Sequence, residues 1–459
     1  MTRPAERDRP TDAAEVSAWL EDAGVAAVAL GFVDASAIVR VKSVPIERFT
    51  DVVSSGVGLS TLFNVAISND EFALTPGFID GPSGDIRLRP DPAATVPLAA
   101  MSGWAWAPVD QFTQEGEPYP ACPRAFAGRM ADRFADRGLS VRVAFEFEFS
   151  VGVRRDDGEF QPAHEGPGYS DIALIRNHEF AFDLLRAIQA QGLDPQQLHP
   201  EYGDGQFELS IAPRDPVAAA DASMVVKQTV RAVARTHGLV ASFAPQVAPG
   251  TGNGMHAHLS LWEAERNLLS RGDGPAGMTD RGEAFTAGIL RELPAIVGVA
   301  VPTCLGYLRL QPHHWSGAMQ CWGTENREAG LRFIAGTTDA AAGAANVEVK
   351  PVDGSANPYL AIGALLAAGL HGLDAGDHLP PSTEEDPEGL PDDVKAERGI
   401  RQLPASLPEA VKELAASSVL RGAMGDFLFE TFVATRRGEV EQYDGLDDEE
   451  LIRRLRWRY

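Results

Sequence analysis

The chain has little of what would direct it to an oxidising compartment, a nucleic acid or a membrane. Only three of its 459 residues are cysteine: Cys122, Cys304 and Cys321. None forms a CxxC pair, and an odd count without a framework fits a reducing cytoplasm. Positive charge is scarce, with 40 Lys and Arg against 65 Asp and Glu and a net charge of −25. Such a chain has no counterion-release energy to gain on a phosphate backbone, which excludes a general nucleic-acid binder. Met1 to Val16 contains no apolar stretch, so no secretory signal is expected. The longest apolar run, Leu360 to Leu370, is too short to span a bilayer and contains glycine. No internal repeat, P-loop or GxGxxG motif is present.

What is there suffices for a large core, since 44% of residues are hydrophobic. The length predicts two domains. Gly116, Pro118 and Pro120 cluster near Gln114–Pro120 and set the boundary, giving domains over residues 1–115 and 116–459. In the first, Thr11–Gly24 reads as a helix. Val25–Val33 and Ile38–Val44 read as a hairpin around Asp34–Ser36. Pro123 opens the next helix. Beyond it, strands at Arg142–Val151, Met255–Trp262 and Asn346–Val352 alternate with helices at Asn177–Gln191 and Asp215–His237. Asn357 and Pro358 supply an N-cap and a first helical residue. Residues 374–399, rich in Pro, Asp and Glu, read as a surface loop.

The informative feature is where charge falls on the strands. Side chains alternate faces. Phe145, Phe147 and Phe149 share one face of their strand, and Glu146, Glu148 and Ser150 share the other. Leu259 and Leu261 oppose His256, His258, Ser260 and Trp262, while Val347 and Val349 oppose Asn346, Glu348 and Lys350. For any one strand the ordinary reading is one face on the core and one in water, but paired Glu and paired His at spacing two are unusual on a solvent face. Carboxylates held together require neutralising cations or protons. Oxygen-rich sites with an occasional imidazole suit Mg²⁺ or Mn²⁺. Glu201–Ser210 adds Glu201 and Glu208, with Gly203 and Gly205 between them to reset the strand phase.

The motifs FEFEF, EYGDGQFE, GNGMHAH, NREAGLR and NVEVKPVDGSANPYLA occur in that order. Together with GFVDASAIVRVKSVPIERF near the start, they make the chain resemble the glutamine synthetase family over roughly residues 15–455. The resemblance implies an α+β fold: an N-terminal β-grasp domain, then a glutamine synthetase-type catalytic α/β domain with a curved antiparallel sheet. It implies a homo-oligomeric ring, a dodecamer, with active sites shared between neighbouring subunits. Glu148, Glu201 and Glu208 would hold one metal; Glu146, His256 and Glu348 would hold a second. Arg309 would clamp the glutamate α-carboxylate, and a bidentate guanidinium suits that task. Arg327 and Arg332 would contact phosphate. Gly252 would lie in the loop that approaches glutamate, and His258 and Ser260 would contact ATP.

The chain also departs from the family pattern. Glutamine synthetases carry a glutamate six residues after the arginine that here is Arg309. That carboxylate closes over the acyl phosphate and helps deprotonate ammonium. This chain has Trp315, in LQPHHWSG. An indole face attracts an alkylammonium and covers its carbon chain, and His313 or His314 could take the proton. The alternative is a packing role for Trp315. Asn346 and Lys350 stand where arginines are common, Thr251 replaces an Asn and Glu328 a Ser. These changes resemble the branch that makes γ-glutamylamides of organic amines. Either Asn64 or Asp70 could take the place of the first-domain ammonium-binding aspartate. No tyrosine lies between Tyr359 and Tyr443, so control by tyrosine adenylylation in that loop is not expected. The expected activity joins glutamate to an amine with ATP as co-substrate. The alternatives are glutamine synthesis from ammonia, and a non-catalytic amine or glutamate sensor.

Overall fold

The structure is a computed structural model that describes residues 9–250, 252–336 and 341–459. Among the described residues the strands form two sheets. The smaller uses β1 (Ala27–Val33), β2 (Val39–Pro45), β3 (Val57–Ser60), β4 (Asp85–Pro90), β5 (Val96–Pro97) and β6 (Trp104–Phe112), in the order β2-β1-β6-β4-β3 with β5 beside β6. β1 and β6 run parallel; the expected hairpin is the antiparallel pair of β1 and β2. Asp34 closes that hairpin, accepting hydrogen bonds from the backbone N–H groups of Ser36 and Ile38.

The larger sheet carries the chemistry. Its strands are β7 (Ser140–Arg154), β8 (Phe160–Pro162), β9 (Pro195–Pro200), β10 (Gln206–Ile211), β11 (Val240–Ser242), β12 (Ala257–Glu263), β13 (Arg266–Asn267), β14 (Met319–Thr324), β15 (Ala329–Ile334), β16 (Asn346–Val349) and β17 (Arg401–Gln402). The order is β17-β14-β15-β16-β12-β7-β10-β9. It is antiparallel except for the parallel pair β14 and β15. Burial alternates along β7 from Ser140 to Phe149: Phe145, Phe147 and Phe149 are fully buried, and Phe149 packs on Phe207 and Phe243. Burial of an aromatic side chain of this kind contributes roughly 1.5–3 kcal/mol, so the register of β7 is fixed by its apolar face and the glutamates are forced to the other.

Helices Pro216–Thr236, Asp280–Ala300 and Pro358–Ala375 bury most of their length. Pro358–Ala375 is long and apolar enough to cross a membrane by composition, but most of it is packed inside the fold. Asn357 caps it through the N–H groups of Tyr359 and Leu360 and donates to the carbonyls of Val33 and Asp34. Arg124 makes a second tie between the two sheets' surroundings. Its guanidinium lies 2.6 Å from both Asp91 and Asp110 and 3.0 Å from Asp221.

Three sequence expectations need correction. The strand expected from Met255 begins at Ala257, and the one expected to reach Val352 ends at Val349. Within 374–399, Asp392–Arg398 is a helix. It has Asp392 and Asp393 in its first turn, Lys395 and Arg398 in its last, and Gly399 in the left-handed region. These are standard end signals that the acidic composition concealed.

Candidate active site

Strand register assembles the site. Glu208 on β10 lies opposite Glu148 on β7, and opposite His199 on β9. That makes a row of three titratable side chains across three strands. A second row forms where His258 on β12 and Arg332 on β15 both lie opposite Glu348 on β16. His258 pairs with Ala144 of β7, which makes Glu146 its diagonal neighbour, within reach across a sheet. Glu201 enters from the turn between β9 and β10. The phase between Glu201 and Glu208 is thus reset by a turn joining two antiparallel strands. Gly205 there has a φ of 72°.

Two groups of donors result. Donor atoms of Glu146, His258 and Glu348 lie within 4.8 Å of one another, as do those of His199, Glu201 and Glu208. His256 joins the first group: its Nδ1 is 3.1 Å from Glu348 and 3.4 Å from Glu146. Its Nε2 is 3.6 Å from Glu148, which faces Glu208 of the second group across β7 and β10, so the two groups adjoin. The six carboxylate and imidazole groups expected to hold metal therefore converge, and His199 and His258 stand with them. The Nε2 of Gln206 donates to Glu148 at 2.9 Å.

Electrostatics divides these carboxylates. Burial, together with the charges of Glu146, Glu148, Glu201 and Glu348, pushes Glu208 up to about 9. Burial also works against charge on Glu146 and Glu348. For Glu146, His256 and His258 outweigh it; for Glu348, Lys350 and the same histidines do, and both carboxyls are held well below the usual range. His258 is lowered by burial but raised more by Glu146, reaching about 9. A carboxylate forced to keep its proton beside others that cannot is the signature of a site short of positive charge. The hard-oxygen and imidazole donors fit Mg²⁺ or Mn²⁺.

Around this centre, Arg309 is buried with its Nη2 2.8 Å from Nε2 of His256. Gly252 lies against the aliphatic stem of Arg309. Thr251 lies outside the described residues. Arg332 reaches Glu348 at 3.2 Å and also pairs with Glu325. Lys350 lies 3.3 Å from Glu348. His258 turns its other ring nitrogen to Asn346, 2.9 Å away. The Ser260 hydroxyl accepts from the indole N–H of Trp262, over which Arg142 stacks. Asp70 is engaged by Arg40 and Arg458, while Asn64 is buried and donates to the carbonyl of Thr61.

Trp315 is exposed, with its ring edge-on to Tyr202 at 5.4 Å. Tyr202 meets Tyr169, which stacks on His199 and hydrogen-bonds Glu201. Arg327 lies 6.0 Å from the Trp315 ring centre. His313 is held by Glu388 and Asp386. His314 is exposed and makes no side-chain hydrogen bond or ion pair among the described residues.

Several of these residues escaped the sequence reading. His199 carried a usable signal, since it sits two residues before Glu201 between prolines. Gly254 did not: a Cβ there would lie 2.4 Å from Arg309, 2.7 Å from Glu148 and 2.8 Å from His256, so the site closes only over a bare backbone. Tyr169 and Tyr202 are brought in by loop packing.

A two-sheet fold whose larger sheet gathers glutamates and histidines offers the donor set that a divalent cation would need. Residues 120–452 match the family described as glutamine synthetase, catalytic domain, and the chain belongs to the glutamine synthetase family. It is 44% identical to γ-glutamylpolyamine synthetase GlnA3 of Streptomyces coelicolor over 460 aligned residues, covering 100% of this chain and 98% of that one. It is 32% identical to the glutamine synthetase of Halobacterium salinarum, covering 86% of this chain and 89% of the other. Among solved structures, a novel glutamine synthase homologue superposes with a TM-score of 0.84 at 33% identity, covering 95% of this chain and 99% of the other. The α+β architecture expected from the motifs is the fold observed.

Proposed function

We propose that this chain joins the γ-carboxylate of glutamate to an organic amine at the expense of ATP. The observation that carries the choice of amine over ammonia is the indole of Trp315, set edge-on to Tyr202 beside Glu201. Glutamine synthetases place a carboxylate at that position. The 44% identity to a γ-glutamylpolyamine synthetase supports the same reading.

Glu148, Glu201 and Glu208, with His199 alongside, would hold one Mg²⁺ or Mn²⁺. Glu146, His256 and Glu348, with His258 alongside, would hold another. Bound there, these cations would neutralise the phosphates and the charge that develops in phosphoryl transfer. Arg309 orients glutamate by its α-carboxylate, with Gly252 leaving room for it. His258, Ser260 and Lys350 line the nucleotide side, and Arg327 and Arg332 face the transferring phosphoryl group. An oxygen of the γ-carboxylate attacks the terminal phosphorus and ADP departs. The amine nitrogen then attacks the acyl carbon, phosphate leaves, and His314 takes the nitrogen's proton. The work of the side chains is positional and electrostatic. The residues 1–115 and 116–459 act as separate domains around this chemistry. The chain works as a homo-oligomeric ring, a dodecamer, in the cytoplasm; sedimentation of the purified protein tests the ring.

Phosphate release with ATP, glutamate and Mg²⁺ across a panel of amines tests the activity. Alkylamines or polyamines should support release, and ammonium little. Ammonium as the best acceptor would make this an ordinary glutamine synthetase, and amine binding without turnover would make it a sensor.

A further inference from the structure

His313 and Trp315 both hold left-handed backbone, at φ 61° and 52°. Non-glycine residues rarely adopt that region, and bulky ones least of all. Something must hold the segment. The carboxylate of Glu328 accepts the backbone N–H of His313 through one oxygen and that of Trp315 through the other, each at 3.1 Å. Glu328 is itself fixed, because its own N–H donates to Asn326, whose side chain donates to the carbonyls of Thr383 and Glu385.

The ring that Trp315 thereby presents meets Tyr202 edge-on. Tyr202 is equally constrained. Its N–H donates to the second oxygen of Glu201, whose first oxygen is engaged by Tyr169 and His199. Gly168 lies so close that a Cβ there would be 2.7 Å from the Tyr202 ring. Two large aromatic rings, 60% and 47% exposed, are thus held in fixed orientation over the turn that carries Glu201. An aromatic face attracts ammonium and alkylammonium alike, but only an alkylammonium also gains coverage of its carbon chain, and that difference favours the organic amine.

We propose that Glu328 is a positioning residue for acceptor specificity: its clasp on the 313–315 backbone stands Trp315 against Tyr202, and this aromatic pair selects an amine that bears a carbon chain. The inference rests on the reading of the enzyme as a glutamate–amine ligase.

The test uses the full-length enzyme with putrescine and with ammonium chloride as acceptors. Glu328→Ala and Tyr202→Ala should each raise the KM for putrescine about tenfold or more while the KM values for ATP and glutamate stay within about threefold. Tyr202→Phe, which keeps the ring, should retain wild-type selectivity. Hydrogen exchange at the amides of 313–315 should accelerate in Glu328→Ala. Unchanged putrescine KM in Glu328→Ala, or a parallel rise in all three KM values, would overturn the proposal. So would unchanged exchange at 313–315. A wild-type enzyme that uses ammonium alone overturns the ligase reading, whereas the exchange result judges the clasp independently.

Discussion

Glu148 and Glu208 stand directly opposite each other across the β7–β10 pair. Two carboxylates in that relation, with Glu146, Glu201 and Glu348 close by, cannot all ionise without cations between them. A divalent cation held there, as proposed above, would couple proton binding to metal binding.

Stability of the metal-free protein should fall as pH rises from about 4.5 to about 9. Glu208 is raised to about 9 from 4.5, so below 4.5 it is protonated folded or unfolded and costs nothing. Between the two values the folded state keeps a proton that the unfolded state has lost, and stability declines. Mg²⁺ should reverse the decline, with a larger rise in melting temperature at pH 8 than at pH 6. Differential scanning fluorimetry with and without EDTA measures this. An equal slope in Glu208→Gln would refute the assignment.

Glu148→Ala should abolish turnover and weaken the Mg²⁺-induced rise in melting temperature. A sensor built on the fold would keep glutamate or amine binding in this variant with no turnover in the parent. Calorimetric titration beside the phosphate-release assay separates the two.

Gly254→Ala should lower kcat/KM about a hundredfold, the usual cost of misplacing reactive groups by around an ångström. The new Cβ would fall between Arg309, Glu148 and His256. Because the clash is with movable side-chain ends, circular dichroism should show the fold intact. Activity within a few-fold of wild type would mean that these three side chains do not act from their observed positions.

How legible was this site in the sequence? Alternation in FEFEF and MHAH exposed Glu146, Glu148, His256 and His258, because a strand with one buried face leaves no choice about the other. Which glutamate faces which histidine depends on strand register, and register is set by contacts far apart in sequence. The Glu146–His258 proximity is a case in point. The clasp of Glu328 on Trp315 was out of reach for the same reason, although both residues were visible as departures. His199 was missed because one imidazole in a short polar strand resembles a surface residue until Glu208 is placed beside it.

Arg124→Met should destabilise the protein by about 1–3 kcal/mol, less than the cost of breaking a fully buried pair, because Asp91 and Asp110 keep partial contact with water. Asp91, Asp110 and Asp221 would be left facing one another without a cation. Urea unfolding measures the loss. A change under about 1 kcal/mol would show that water already screens the cluster.

The most direct test of the central claim is to follow isotopically labelled oxygen from the γ-carboxylate of glutamate during turnover with ATP, Mg²⁺ and putrescine. If the γ-carboxylate is phosphorylated before the amine attacks, one labelled oxygen must appear in each phosphate released, in step with the γ-glutamylamide formed. Unlabelled phosphate, or phosphate released without amide, would contradict the account.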